Sequence, residues 1–185
     1  MKEKIIEVYS YDELNKKAKE TALNWYRNKN DMPFLNDDLI EYLKELLEEN
    51  KIIYDDSLKV YYSLCYSQGD GFCFIGDFQT KTAKFKITHN SRYCHKKSTT
   101  IDLIELYDKT EQRFRDILDL SGEKDKEIEE ELNSFTHLYY LICDNCEKLG
   151  YEEIESENQE AYIKEIFNDN GYTFRENGVI EDIEN

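Results

Sequence analysis

The chain has 185 residues, of which 39% are hydrophobic and 35% charged, and its formal net charge is −17 at pH 7. This length suits one domain with a real core, and the content of 15 Tyr and 9 Phe argues against a disordered protein. No stretch resembles a membrane span, and the opening MKEKIIEVYSYDE lacks the apolar core of a secretion signal. We therefore expect a single domain over residues 1–185 that is cytoplasmic and has no membrane partner.

The sequence begins with two helical patterns. A helix over residues 12–27 is predicted by apolar residues spaced four, four and three apart, namely Leu14, Ala18, Ala22 and Trp25. Asn36 is the expected N-cap of a second helix, because two aspartates follow it where the helix dipole favours acids. The buried face of this second helix is predicted to consist of Leu39, Ile40, Leu43, Leu46 and Leu47.

The pattern then changes to strands rich in Tyr, Val, Phe and Ile. We predict an antiparallel meander of three strands over residues 59–67, 72–78 and 83–88. Gly69, Asp70 and Gly71 lie between the first two strands and are typical of a two-residue hairpin turn, with Asp70 exposed at its tip. A dinucleotide-binding loop would need a third glycine at position 74 and a helix after it. Phe74 and the following strand pattern exclude that interpretation.

Helices are predicted again after residue 100. The first is suggested by Ile101, Ile104, Phe114, Ile117 and Leu118, and it would end before Ser121. A long helix over residues 127–149 is predicted by apolar residues at alternating intervals of four and three, with Gly150 as its stop. A short helix over residues 158–167 and a hairpin of residues 172–174 and 179–180 complete the chain. The predicted fold class is α+β: an antiparallel meander packed with N-terminal helices, then a helical C-terminal part with a short final hairpin.

Charge is distributed unevenly. Residues 1–100 contain 16 basic and 16 acidic residues, whereas residues 101–185 contain 8 basic and 25 acidic residues, so the whole net charge of −17 lies in the second part. Acidic runs are usually solvated helix surfaces, but they can also imitate nucleic acid and bind a basic groove of a partner. The candidate partner-binding residues are Glu129, Glu130, Glu131, Glu152 and Glu153.

Residues 78–101 contain no acid at all. The candidates for contact with an anion or nucleic acid in this basic stretch are Lys84, Lys86, Arg92, Lys96 and Lys97. Tyr66 and Phe72 could stack on a base. The alternative is an ordinary solvated strand face, since Lys84 and Lys86 alternate with Phe85 and an isoleucine. We do not expect direct binding of nucleic acid.

Cysteine and histidine patterns indicate no metal, cofactor or catalytic site. Cys143 and Cys146 have a spacing found in zinc sites, but the only other such cluster is the adjacent pair Cys94 and His95. Buried cysteines acting as small hydrophobic residues explain the first pair equally well. The odd total of five cysteines fits a reducing compartment, and no catalytic motif surrounds any of the three histidines. We therefore expect a protein that is not an enzyme.

The segment YYSLCYSQGDGFCFIGDF resembles a motif of small phage and prophage proteins, in which a strand ends in a Ser-Gln-Gly-Asp-Gly turn. The N-terminal YDELNKKAKETALNWYR and the C-terminal NGYTFRENGVI are similar to the ends of the same family. Cys65 and Cys73 depart from the family, where smaller or aromatic residues are common. Members are sometimes labelled antitoxin-like, and the resemblance carries over no catalytic residue. It implies a phage-encoded interaction protein.

Charge and resemblance together give three functional hypotheses. The first is an acidic phage protein that inhibits a host nucleic-acid-handling or defence protein, such as a CRISPR effector, by binding its basic surface. The second is a small-ligand or nucleotide-binding protein, or an enzyme, that uses the basic stretch over residues 81–97. The third is an antitoxin-like partner of a toxin.

Overall fold

The computed structural model describes residues 6–30, 32–107 and 121–181. Its α-helices are α1 (Lys16–Lys29), α2 (Leu35–Glu49), α3 (Ser121–Glu157) and α4 (Glu160–Asp169). Its strands are β1 (Ile53–Tyr54), β2 (Lys59–Ser63), β3 (Gly71–Gln79), β4 (Ala83–His89) and β5 (Thr99–Leu106). Helices precede and follow an antiparallel sheet, so the predicted α+β class is confirmed. No helix in these described ranges combines the length and apolar composition needed to cross a membrane.

The described residues form two compact units. The first unit contains the described parts of Met1–Pro33 and Glu152–Asn185, and the second contains those of Phe34–Tyr151. Helix α3 therefore belongs to the second unit as far as Tyr151, and its last residues belong to the first.

The sheet lies in the second unit and is antiparallel throughout. Its strands follow the order β1-β3-β4-β5, and β2 also pairs with β3. The sequence pattern does not predict strand β1, and it predicts a helix for the residues that form strand β5, so that prediction is wrong. Ile101 and Ile104 are strand residues, whereas the other three residues of that predicted helix, Phe114, Ile117 and Leu118, lie outside the described residues.

Aromatic residues form the contact between the sheet and α3. The ring of Phe85 on β4 stacks on Phe135 of α3, with 3.8 Å between the ring centroids and an interplanar angle of 3°. The Tyr139 hydroxyl donates to the Phe74 carbonyl at 3.1 Å and lies 3.4 Å from the Phe74 amide nitrogen. Both contacts involve side chains that are almost completely buried. They fix α3 over the face of the sheet that carries Phe74 and Phe85.

Helix α2 begins two residues earlier than predicted. Its N-cap is Phe34 rather than Asn36, and the Phe34 carbonyl accepts the first helical hydrogen bonds from Asp37 and Asp38 at 2.9 and 3.0 Å. Four of the five predicted apolar residues are buried, and Ile40 is half-buried.

Helix α3 does not stop at Gly150. The helix continues to Glu157, and Gly150 is buried within it. A Cβ at this position would lie 2.4 Å from Leu64 Cδ1. This glycine is therefore a packing residue that allows the helix to approach the loop after β2.

The first unit packs aromatic residues around α1 and α4. Asn15 caps α1 by accepting a hydrogen bond from the Ala18 amide at 3.0 Å, so this helix starts later than predicted. Phe174 pairs with Tyr9 and with Ile180, which confirms the short final hairpin and adds an N-terminal residue to it. The buried core of this unit consists of Tyr11, Leu14, Ala18, Ala22, Leu23, Ile163, Phe167 and Phe174.

Candidate functional site

The candidate acidic residues fall into two groups. Glu129 and Glu130 are exposed on α3 in the second unit. Glu131 is half-buried, and its carboxylate accepts a hydrogen bond from the Thr82 hydroxyl at 2.5 Å. Glu152 and Glu153 belong to the first unit, where Glu152 is exposed and Glu153 half-buried. Of the three acids in the second unit, Glu129 and Glu130 are the exposed ones.

The two lysines of β4 lie opposite acids of neighbouring strands. Lys86 pairs in register with Asp77 of β3 and with Asp102 of β5, and Lys84 pairs with Glu105 of β5. Side chains of directly opposed residues lie on the same face of a sheet and interact. These acids are close to the two lysines in space although they are absent from the basic stretch in sequence. These acids therefore lower the net positive charge of this part of the sheet.

The other basic candidates lie in the loop after β4. The Lys96 ammonium forms an ion pair with Asp144 of α3, and the Arg92 guanidinium lies 4.9 Å from the centre of the Tyr93 ring. Arg92 and Lys97 are exposed. Phe72 is completely buried and cannot stack on a base, whereas Tyr66 is 66% exposed.

The loop between β2 and β3 is built around Asp70. Seven residues connect Ser63 to Gly71, so the predicted two-residue turn is wrong. Asp70 is half-buried rather than exposed at a tip. Its carboxylate accepts five hydrogen bonds, from the Ser63 and Ser67 hydroxyls, the Cys65 and Ser67 amides and the Tyr151 hydroxyl, at 2.7 to 3.3 Å. Asp70 thus organises this loop and ties it to α3.

Two glycines allow the Asp70 loop to pack against the loop after β4. Gly69 has φ +96° in the turn from Ser67 to Asp70, and a Cβ there would lie 2.2 Å from Tyr93 Cδ1. Gly71 begins β3 with φ +151°, and a Cβ there would lie 3.0 Å from His95 Cα. Both positions favour glycine for conformation and for space.

The hydrogen bonds to the Asp70 carboxylate should make the stability of the fold depend on pH in the acidic range. The backbone hydrogen bond from Ser67, followed by the serine hydroxyls, lowers the pKa of Asp70 to about 2. A carboxylate with a lowered folded-state pKa stabilises the fold above its unfolded pKa, and this contribution disappears as pH falls through the folded pKa. We expect Asp70→Asn to cost about 1–2 kcal/mol at pH 7.

The wild-type advantage over Asp70→Asn should shrink as the pH falls from about 4 to about 2. Urea unfolding at a series of pH values measures this difference. Asp56→Asn, a change at an exposed aspartate of the same unit, is the matched control and should show little effect at any pH. A constant cost of Asp70→Asn across this range would contradict the assigned role of the Asp70 carboxylate.

The cysteines are all free thiols, and burial raises the pKa of several of them. Cys73, Cys143 and Cys146 are completely buried. Burial raises the pKa of Cys73 and of Cys146 to about 12, and raises that of Cys143 well above its ordinary value. Buried thiols of this kind are poor nucleophiles and poor metal ligands. Within the described residues, no group of three or more Cys, His, Asp or Glu side chains is arranged to hold a metal ion.

Two of the histidines have local structural roles. The His89 ring stacks on Tyr61 with 4.7 Å between ring centroids, and its Nε2 lies 2.9 Å from the Tyr93 carbonyl oxygen. His95 Nδ1 accepts a hydrogen bond from the Lys97 amide at 3.1 Å. Both rings therefore shape the loop after β4.

Comparison with known proteins found no relative of this chain. No family model matches it, and no curated protein or solved structure matches it either.

Proposed function

We propose that this chain is a non-enzymatic, phage-type protein that inhibits a host nucleic-acid-handling protein by binding to it. The proposed contact is made by the acidic surface of α3 around Glu129 and Glu130, on a basic groove of the partner. A CRISPR effector or another defence nuclease is the kind of partner that the resemblance to phage proteins suggests. An antitoxin-like role, in which the bound protein is a toxin, would use the same type of contact.

One observation carries this proposal. The segment EKDKEIEEE, residues 123–131, holds six acids and two lysines, and Glu129 and Glu130 are exposed in it on a regular helix. A helix presents such charges at fixed spacing, and a concentrated negative field attracts channels that normally hold nucleic acid.

The alternative, an anion or nucleotide site in the basic stretch, has weaker support. Lys84 and Lys86 face acids across the sheet, and Lys96 is paired with Asp144. Only Arg92 and Lys97 of the five candidates are both exposed and without a carboxylate partner described above. Two separate cations are a poor match for a polyanion.

A charge-reversal experiment tests the proposal. The tagged full-length chain is used to capture proteins from a bacterial lysate, alongside Glu129→Lys/Glu130→Lys. The matched control is Glu48→Lys/Glu49→Lys, since these are also adjacent, exposed helical acids of the second unit. We expect capture of a nucleic-acid-handling protein to fall about tenfold with the first pair and to be nearly unchanged with the control.

Two further measurements, of salt dependence and of competition by an oligonucleotide, complete the test. Capture should weaken as salt rises, because exposed charges are screened, and a single-stranded oligonucleotide should compete if the partner's nucleic-acid groove is occupied. Equal capture by Glu129→Lys/Glu130→Lys would eliminate the acidic-surface mechanism and leave the acids as a solvated helix surface.

A further inference from the structure

One edge of the sheet is formed by two short strands in succession. Strands β1 and β2 both run antiparallel to β3, and they pair with successive parts of it. Six residue steps separate Ile53 from Lys59, but only four separate their partners Gln79 and Ile75. The two extra residues form a bulge, where the Ser57 hydroxyl accepts a hydrogen bond from the Asp77 amide at 2.9 Å. β1 and β2 are therefore one edge strand interrupted by a bulge.

The outer side of this edge is open within the described part of the chain. β2 pairs with β3 alone among the described strands. In an edge strand, alternate N–H and C=O groups point away from the sheet and can pair with an added strand. The residues of β2 are mostly half-buried, so this edge is neither fully covered nor fully solvated.

A groove runs along this open edge. It has a volume of about 530 Å³, which lies in the range of ligand clefts. One wall is the stripe Asn36, Ile40 and Lys44, which recurs every four residues on α2, and the other wall is the bulge and β2. The lining residues of this second wall are Tyr54, Asp55, Asp56, Leu58, Lys59, Val60 and Tyr61. All of these residues belong to the second unit.

The chemistry of the groove suits an extended peptide. Ile40, Leu58 and Val60 are half-buried aliphatic side chains that offer apolar contacts. Four exposed charged residues also line the groove: Lys44 and Lys59, one on each wall, and Asp55 and Asp56 at the bulge. The groove therefore offers partners for both acidic and basic side chains of a bound segment. Adjacent side chains of a strand point in opposite directions, so a bound strand could direct apolar and acidic residues to different parts of the groove.

We propose that the groove between α2 and β2 binds an extended segment of a partner protein, which adds to the sheet as a strand beside β2. The segment carries an acidic and a basic residue among apolar ones. Main-chain hydrogen bonds to the open edge provide affinity, and the charged and aliphatic residues of the groove select the sequence. This site is separate from the acidic residues of α3, and it does not depend on the function proposed for them.

The test uses the full-length protein and a phage-displayed library of random ten-residue peptides. We expect retained peptides to contain an acidic and a basic residue among apolar ones, and to bind about tenfold more weakly to Lys44→Glu/Lys59→Glu because the acidic residue loses its partners. Lys51→Glu/Lys81→Glu changes two exposed lysines that do not line the groove and should bind like the wild type. Unchanged melting temperatures will establish that both variants are folded.

Strand addition has its own signature. On saturation with a retained peptide, hydrogen exchange should slow about tenfold at outward-facing amides of Lys59–Ser63. Every second residue of the bound peptide would direct its N–H group toward β2, and the residues between them would direct theirs away. N-methylation of the first set should therefore abolish binding, whereas N-methylation of the second set should leave it unchanged.

Three results would overturn the proposal. They are retention of no peptide above background, equal binding by Lys44→Glu/Lys59→Glu, and amide protection outside β2. Concentration-dependent dimerisation that protects the same amides without peptide would assign the groove to a second copy of this chain instead.

Discussion

Gly178→Ala is expected to destabilise the first unit by about 3 kcal/mol or more. Gly178 has φ +82°, a left-handed conformation that itself costs an L-residue about 1–2 kcal/mol. A Cβ at this position would also lie 1.9 Å from the carbonyl oxygen of Ala18. That oxygen belongs to the backbone of α1, so it cannot rotate away, and the final hairpin would have to move off the helix.

Urea unfolding followed by the fluorescence of Trp25 measures this change. Trp25 is the only tryptophan, and its ring lies 5.8 Å from that of Tyr172 in the same unit. Gly171→Ala is the matched control, because Gly171 is also left-handed, with φ +65°, but its Cβ would meet nothing within 4 Å. The control isolates the conformational cost of about 1–2 kcal/mol. Equal losses in the two variants would contradict the close contact of Gly178 with α1.

The fold class was predictable because most elements have an unbroken pattern. In strand β4, buried Phe85 lies between the half-buried Lys84 and the exposed Lys86, and this alternation of apolar and charged residues indicates a strand. Strand β5 was missed because its register shifts where β4 passes from Lys84 to Phe85. Leu103 and Glu105 are both paired, whereas Ile104 between them is skipped and is 54% exposed. This irregularity breaks the alternation and leaves Ile101 and Ile104 at a spacing that also suits a helix.

Gly150 shows a second limit of local reasoning. Glycine after a run of apolar helical residues usually marks a C-terminal stop. In this chain the glycine lies inside α3. The position is a glycine because Leu64, 86 positions earlier in the sequence, occupies the space that a side chain would need. A contact over that separation leaves no local signal.

The candidate surfaces were predictable to different degrees. The acids of α3 are visible in the sequence, and the exposure of Glu129 and Glu130 agrees with their helical pattern. The proximity of acids to Lys84 and Lys86 depends on strand register and could not be predicted from a segment without acids. Asp70 is conspicuous in the sequence, but its inward orientation depends on Ser63 and Ser67, which precede it by seven and three residues and donate hydrogen bonds to its carboxylate.

The groove beside β2 could not be predicted at all. Its walls come from α2 and from the bulged edge strand, and the bulge exists because β1 and β2 pair with different parts of β3. The stripe of Asn36, Ile40 and Lys44 mixes polar and apolar residues, so it carries no amphipathic signal.

Phe85→Ala is expected to destabilise the second unit by about 3–5 kcal/mol. Phe85 has no exposed surface, and its ring lies parallel to that of Phe135 at 3.8 Å. Removing the ring deletes its own burial and leaves a cavity against α3, because neighbouring strands hold the backbone of β4 in place. Urea unfolding followed by far-ultraviolet circular dichroism, together with hydrogen exchange at the amides of β4, measures the loss.

Ile104→Ala is the control for Phe85→Ala, since Ile104 is a large apolar residue of the neighbouring strand but is 54% exposed. Its replacement should cost less than about 1 kcal/mol. Phe135→Ala should cost about as much as Phe85→Ala, and the double variant should cost less than the sum, because the two rings contact each other. Additive losses would mean that Phe85 and Phe135 stabilise the fold independently, and α3 would then not be held to the sheet by this ring pair.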